Sequence, residues 1–414
     1  MKYPFLQLSD VNAPYAEQLK EAAARVIDSG WYLNGNETKA LQSELAQVCQ
    51  TAHALTVSNG LEALRLIFRA HIRLGRLHEG DEVIVQANTY IASVLAIHDA
   101  GLTPMLVDPS ESTYNLDSSL IEQAITEKTR AILVVHLYGT PCWNSKIKEI
   151  AERHDLLVIE DNAQAIGAQA DTPGLNGTNP TGGLGHAAAI SFYPTKNVGA
   201  LGDAGAITSS DTQLIDTARA LANYGSDRRY HNIYQGFNCR MDEIQAAFLR
   251  VKLRHLDDES QARHLAACAY DEAITNPLIR KPEIFEGMRQ VWHQYVIRCE
   301  ERDRLRQHLL DNGVGTDIHY ATPPHMQPCY EGTFSNPLPM TERLADQIVS
   351  LPIATITPSD AQVIAHLINT FKLVGATKAF IRAPFLVQSA FQGVFAAFIA
   401  IIALLAGLYF MRSG

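Results

Sequence analysis

Short apolar runs rich in β-branched residues recur between about residues 52 and 225, separated by stretches whose apolar positions repeat every three to four residues. That alternation predicts an α/β fold, a sheet with helices packed on it. Glu82–Val85, Pro104–Asp108, Ala131–His136, Leu156–Asp161, Ala187–Phe192 and Gly205–Ser209 read as buried strands. Leu61–Ala70 and Asn144–His154 read as helices between them. The stretch 171–185 is so rich in Gly, Thr and Pro that it must be a loop. Thr212–Asn223 reads as a helix, followed by a long one from about Met241 into the 260s, with Met241, Ile244, Ala247, Phe248 and Val251 as its core stripe. A smaller α+β unit then includes Val291–Cys299 as a strand and Arg302–Asn312 as a helix. The expected division is a large α/β domain over 1–250, a small one over 251–373, and a tail over 374–414.

The tail changes the picture. No charged residue lies between Ala383 and Met411, and Val394–Met411 is apolar throughout. That suffices for a helix to cross a bilayer of roughly 30 Å, so a transmembrane helix is predicted at about 389–411. Lys372, Lys378 and Arg382 precede it, which by the positive-inside rule places the main domain in the cytoplasm, anchored at the inner membrane. Residues 374–386 with the apolar run resemble part of the cell-division permease-like protein FtsX, which is also the expected mark of a gene fusion or assembly join.

Charge and cysteine usage exclude further classes. The 414 residues carry 34 Lys and Arg against 44 Asp and Glu, a formal net charge of −10, so a nucleic-acid-binding surface is not expected. The six cysteines form no CxxC pair and no His stands at metal spacing, so neither a disulfide framework nor a metal site is indicated. The first fifteen residues lack the apolar core of a signal peptide.

Chemistry concentrates in two segments. Leu156–Gln164 is an apolar strand ending in Glu160–Asp161, which delivers carboxylates to the sheet edge where open α/β folds bind ligands. Ser191–Asp203 begins as a strand end and reaches Lys196 five residues after Ser191. One lysine at a strand edge is ordinarily a solvated charge. Paired with an Asp on a neighbouring strand, it suits a Schiff base to pyridoxal phosphate, whose pyridinium nitrogen needs such a carboxylate. Ser58–Asn59–Gly60–Leu61 is a tight turn entering a helix, whose free N–H groups suit a phosphate. Tyr90 could stack on a flat cofactor, and is equally well read as a core aromatic.

These segments and others resemble the DegT/StrS-type sugar aminotransferases, pyridoxal phosphate enzymes of fold type I. The marks are SGWYLNG (29–35), VSNGLEAL (57–64), GDEVIVQANTYIAS (80–93), VVHLYG (134–139), VIEDNAQAIGA (158–168), SFYPTKNVGALGDAGAIT (191–208), GFNCRMDEIQAA (236–247), VWHQYVIR (291–298) and IHYATPPH (318–325). The resemblance covers about residues 4–373 and implies a large, mostly parallel mixed sheet with a smaller C-terminal domain. It implies that Lys196 bonds the cofactor and shuttles the proton, and that Asp161 holds the pyridinium nitrogen. Gln164 would lie near the ring hydroxyl, Tyr90 on the ring face, and Gly60, the Leu61 amide and Ser191 at the phosphate. Asn238 matches an Asn that the partner subunit supplies in the family, which implies a homodimer with shared active sites. Tyr32, His319 and Tyr320 are candidates for sugar contact.

Two departures stand out: Leu61 where many relatives have Thr, and EDNAQ in place of EDAAQ, at Asn162. The expected reaction moves an amino group from glutamate to a nucleotide-linked keto sugar, most like enzymes acting on dTDP-3-keto-6-deoxyhexoses. A sugar dehydratase of the same fold would carry His in place of Lys196. A catalytically silent, membrane-tethered scaffold would not need the Asp161–Lys196 pair.

Overall fold

Seven strands form one mixed sheet at the centre of residues 1–372, the part of the chain described by the computed structural model. They are β1 (His53–Val57), β2 (Glu82–Gln86), β3 (Thr103–Val107), β4 (Thr129–Val135), β5 (Leu157–Asp161), β6 (Ala187–Ser191) and β7 (Gly205–Ser209), in the order β1-β7-β6-β5-β4-β2-β3. Only β7 runs antiparallel to its neighbours β1 and β6. The other six therefore end at the same edge, and the turns that leave them converge there.

Both faces of the sheet are covered, as its apolar runs require. Alternate side chains show this: Val83 and Val85 pack on one face with Leu64, Phe68, Ile97 and Leu214 from the helices Gly60–Arg73, Ile91–Asp99 and Thr212–Ala222. Ile84 and Val158 point the other way, against Ile147 and Ile150 of the helix Ser145–Arg153. Farther along that face, Ile190 and Ala206 meet Leu41, Leu45, Met241 and Leu249. The predicted strands and helices of this region all form, and 171–185 has no regular secondary structure. The apolar runs do not single out β1, since His53 and Thr56 interrupt it.

Two differences have local causes. The long helix expected from Met241 is two helices, Glu243–Leu253 and Leu256–Ala273. His255 leaves helical geometry, Leu256 turns inward against Gly167, and Asp257, Asp258 and Glu259 give the second helix an acidic first turn that favours a new N-terminus. The strand expected at Val291–Cys299 shortens to β8 (Tyr295–Arg298), paired with β9 (Ile348–Leu351). Its first residues bond elsewhere: the Val291 N–H donates to the Gly139 carbonyl at 3.0 Å, and Trp292 takes a left-handed φ of 47°.

The predicted membrane helix at about 389–411 and the tail from 374 lie outside the described residues. Among the described residues no helix is long and apolar enough to cross a membrane.

The helix Gly60–Arg73 starts where the Asn59 side chain accepts the Glu62 N–H at 2.9 Å, and it buries His71 near its end. Neither ring nitrogen of His71 has a hydrogen-bond partner, and burial pushes its pKa from 6.5 down to about 3, with Arg76 and His186 adding to the shift and Asp211 opposing it. Below pH 6.5 the unfolded chain takes up a proton that the folded chain refuses, so stability is lost as pH falls from about 6.5 towards 3. The His71 contribution predicts a loss of about 2 kcal/mol by pH 5. Denaturant unfolding at pH 7 and pH 5 checks this, and His71→Leu should flatten the dependence.

Candidate active site

The end of β5 carries Asp161 and the connections after β1, β2, β4 and β6 carry Gly60, Tyr90, Tyr138 and Lys196, so one sheet edge gathers residues far apart in sequence. β5 is the middle strand, and its last two side chains point to opposite faces. Asp161 turns towards the turn after β2: the Ser93 hydroxyl donates to Oδ2 at 2.7 Å, and Thr89 Oγ1 lies 2.8 Å from Ser93 Oγ. The Ala163 N–H donates to Oδ1 at 3.2 Å.

Glu160 turns to the other side and is wholly buried. The Gly182 and Gly185 N–H groups donate to its carboxylate at 2.7 and 2.8 Å, and His136 Nε2 does so at 2.9 Å. The Cys142 N–H donates to His136 Nδ1 at 2.8 Å, which leaves the ring hydrogen on Nε2, facing Glu160. Loop 171–185 is thereby fastened beneath 162–168, where the Thr181 hydroxyl donates to the Ala165 carbonyl at 2.6 Å. Of the two acids at the strand end, one is structural and one faces the site.

Lys196 follows β6 in a turn whose Ala200 N–H bonds the Phe192 carbonyl at 2.8 Å. Beneath it the buried Lys252 ammonium donates to the Gly199 carbonyl at 2.7 Å. Burial lowers the Lys196 pKa from 10.5 to about 8, against the opposing pull of Asp161. Ser191 lies beside the start of the helix Gly60–Arg73: a Cβ on Gly60 would stand 2.7 Å from the Ser191 Cβ, so only glycine permits this approach. The first N–H groups of that helix have no intrahelical partner, and the partly buried Leu61 side chain packs against the core.

The opposite wall is a chain of hydrogen bonds. The Tyr138 N–H donates to Gln164 Oε1 at 2.6 Å, so the Gln164 amide nitrogen faces outward and donates to the Tyr320 hydroxyl at 3.1 Å. Tyr320 meets the Tyr90 ring at 5.2 Å between centroids, and Tyr90 is 54% exposed at the mouth of the site. The Tyr138 hydroxyl donates to the His319 carbonyl, and His319 Nδ1 lies 2.8 Å from the Ser350 hydroxyl. Burial lowers the His319 pKa, Asp317 opposes this, and Lys196 adds to it.

The structure brings together Gly60 with Ser191 and Tyr90 with Gln164 and Tyr320, and it couples Asp161 and His319 electrostatically to Lys196. Tyr32 stands apart, 58% exposed, in a turn held by Glu243: the Glu243 N–H donates to the Tyr32 carbonyl at 3.0 Å, and its carboxylate accepts from Gly35, Glu37 and Thr38. Asn238 is exposed as well, although the Ser58 N–H donates to the carbonyl of Cys239 beside it. Ser93 and Tyr138 were not singled out, yet they stand within the motifs GDEVIVQANTYIAS and VVHLYG. Asn162, the departure from EDAAQ, is fully buried and neither side-chain atom has a partner.

Known proteins resemble this chain in sequence and fold. The model of the DegT/DnrJ/EryC1/StrS aminotransferase family matches residues 15–369. The chain belongs to that family. Among its relatives, the dTDP-3-amino-3,6-dideoxy-alpha-D-galactopyranose transaminase of Aneurinibacillus thermoaerophilus is 43% identical over 85% of this chain and 94% of its own. The erythromycin biosynthesis sensory transduction protein EryC1 of Saccharopolyspora erythraea is 44% identical over 90% of this chain and 99% of its own. The crystal structure of S. venezuelae DesV superposes with a TM-score of 0.83 at 40% identity, covering 89% of this chain and 98% of that one. A Bacillus subtilis relative, ntda, was solved with bound cofactor PMP.

This aminotransferase therefore uses pyridoxal phosphate, and its residues fit the group. A glycine-only approach at a helix N-terminus suits the phosphate, a bonded Asp161 carboxylate suits a pyridinium nitrogen, and a partly buried amine of lowered pKa suits an aldehyde.

Removing the Glu160 carboxylate strands three buried donors. Glu160→Ala should cost about 3 to 5 kcal/mol in denaturant unfolding. Hydrogen exchange at the Gly182 and Gly185 amides should accelerate in the same variant; unchanged exchange would contradict the fastening of loop 171–185.

Proposed function

We propose that this aminotransferase converts glutamate and a dTDP-3-keto-6-deoxyhexose into 2-oxoglutarate and the dTDP-3-amino-3,6-dideoxyhexose, for glycan or polysaccharide biosynthesis. The observation that carries the chemistry is the partly buried Lys196 amine, its pKa lowered, with Asp161 at the end of the strand beside β6. The sugar rests on the Aneurinibacillus thermoaerophilus relative named above and on the motifs shared with enzymes of that substrate class. Bound pyridoxal phosphate supplies an aldehyde that accepts the amino group and a ring that withdraws electrons from the reacting carbon.

The chain's own residues do the rest. Lys196 Nζ takes a proton from the donor carbon and returns one to the acceptor carbon, and a pKa of about 8 leaves it able to do both near neutral pH. Asp161, held by Ser93, keeps the ring nitrogen protonated. Gly60, the Leu61 amide and Ser191 hold the phosphate, Gln164 bonds the ring hydroxyl, and Tyr90 covers the ring face. His319 and Tyr320 contact the sugar from the opposite wall. This reading keeps the division into a cofactor domain to residue 250 and a small domain over 251–373, with the tail as a membrane anchor or a fusion.

A second copy completes the site. Trp31, Tyr32, Tyr193, Tyr224 and Tyr230 are large aromatic side chains left at least half exposed, Tyr230 at 87%, and Asn238 is exposed with them. A homodimer covers such a surface and lets Asn238 and Tyr32 serve the other copy's site.

Mass spectrometry of the sugar product, with glutamate as donor, tests the reaction. Lys196→Ala should abolish turnover with the fold intact by circular dichroism, and retained turnover would refute its role. Mixing inactive Lys196→Ala chains with weakened Asn238→Ala chains should restore activity, up to about a quarter of wild type from random pairing. No recovery after subunit exchange would refute the shared site.

A further inference from the structure

Asn197, the residue after Lys196, is gripped from a distant part of the chain. Its amide nitrogen donates to the Val291 carbonyl at 3.0 Å, which turns Oδ1 the other way, 3.0 Å from His293 Nδ1. An amide oxygen only accepts, so the His293 hydrogen sits on Nδ1 and the lone pair on Nε2. The ring is buried, and the Gln294 amide nitrogen lies 3.5 Å from Nε2.

The backbone around His293 is equally constrained. A Cβ on Gly139 would stand 2.8 Å from the His293 nitrogen and 2.9 Å from that of Trp292, so glycine at the end of VVHLYG is what lets the two segments touch. The buried Arg263 guanidinium donates to the Trp292 carbonyl at 3.3 Å. Burial holds the His293 ring uncharged, and the charged or titratable groups facing it, Lys196, Arg263 and His319, all act in the same direction. Asn197 thus joins the Lys196 turn to the wall built on Tyr138 by two neutral hydrogen bonds, one to the Val291 carbonyl and one from the His293 ring.

We propose that His293 is a positioning residue for Lys196, fixing Asn197 through its Nδ1–H and thereby the direction in which the lysine side chain leaves its turn. This rests on Lys196 as the proton carrier of the reaction. A side chain that merely filled space would be replaceable by any amide of similar volume. A positioning bond is not, because asparagine places its amide nitrogen near the Nδ1 site and glutamine places it near Nε2.

The test uses the full-length protein loaded with pyridoxal phosphate and reads the pH midpoint of its visible absorption, alongside kcat and KM. His293→Asn should keep the midpoint close to wild type. His293→Gln and Asn197→Ala should each move it by about one unit and lower kcat about tenfold or more with KM little changed. Wild-type midpoints in both His293→Gln and Asn197→Ala would overturn the proposal, as would rescue by Gln and not by Asn. Should the His293 variants fail to fold, the Asn197→Ala midpoint decides alone. A wild-type protein with no visible band would overturn the Lys196 assignment and this inference with it, whereas equal midpoints overturn only the inference.

Discussion

The end of β5 is the constraint on which the rest depends. Adjacent residues of a strand face opposite ways, so Glu160 and Asp161 divide two carboxylates between the back of the sheet and its ligand edge. Glu160 gathers Gly182, Gly185 and His136, and so pins a loop of fifteen residues without secondary structure under the segment that carries Gln164. Asp161 gathers Ser93 and the Ala163 amide and presents its charge to Lys196. A one-residue slip of β5 would exchange the two roles and strand both acids, which is why the register with β4 and β6 matters as much as the residues themselves.

Around this strand the site is an exercise in controlled charge. Burial costs Lys196 its proton more readily than water would, and Asp161 limits how far that goes. His293 and His319 are both held towards their uncharged forms, with Lys196 contributing to each shift. The result is a lysine surrounded by one fixed carboxylate and by rings that do not compete for its proton. Gln164 is oriented in the same economical way: its oxygen is taken by the Tyr138 N–H, so its nitrogen is the part left to face Tyr320.

Much of this was legible in the residues because it depends on order along the chain. Strands buried on both faces announce themselves as short apolar runs, and their ends and the turns after them hold Gly60, Tyr90, Asp161 and Lys196 at the edge where open α/β folds bind ligands. What was not legible depends on contacts between distant segments. Val291–Gln294 reads as strand by composition, but its N–H groups go to Gly139 and Tyr138, and no local pattern records that. Glu160 and Asp161 look alike in sequence; only the pleat and the position of loop 171–185 separate their roles. The break at His255 was hidden because the apolar period runs on from one helix towards the next. The motifs propose Tyr32 and Asn238 for the site, yet a single chain leaves both at the surface.

The most direct test of the account is the absorption spectrum of the full-length protein after incubation with pyridoxal phosphate and removal of the excess. A lysine-bound cofactor gives a visible band that borohydride fixes to the chain, and the account predicts that the label maps to Lys196 and that glutamate, added before reduction, replaces the band with one in the near ultraviolet. A label on any other residue, or a band that glutamate leaves unchanged, would contradict the assignment of Lys196 as the group that holds the cofactor and moves the proton.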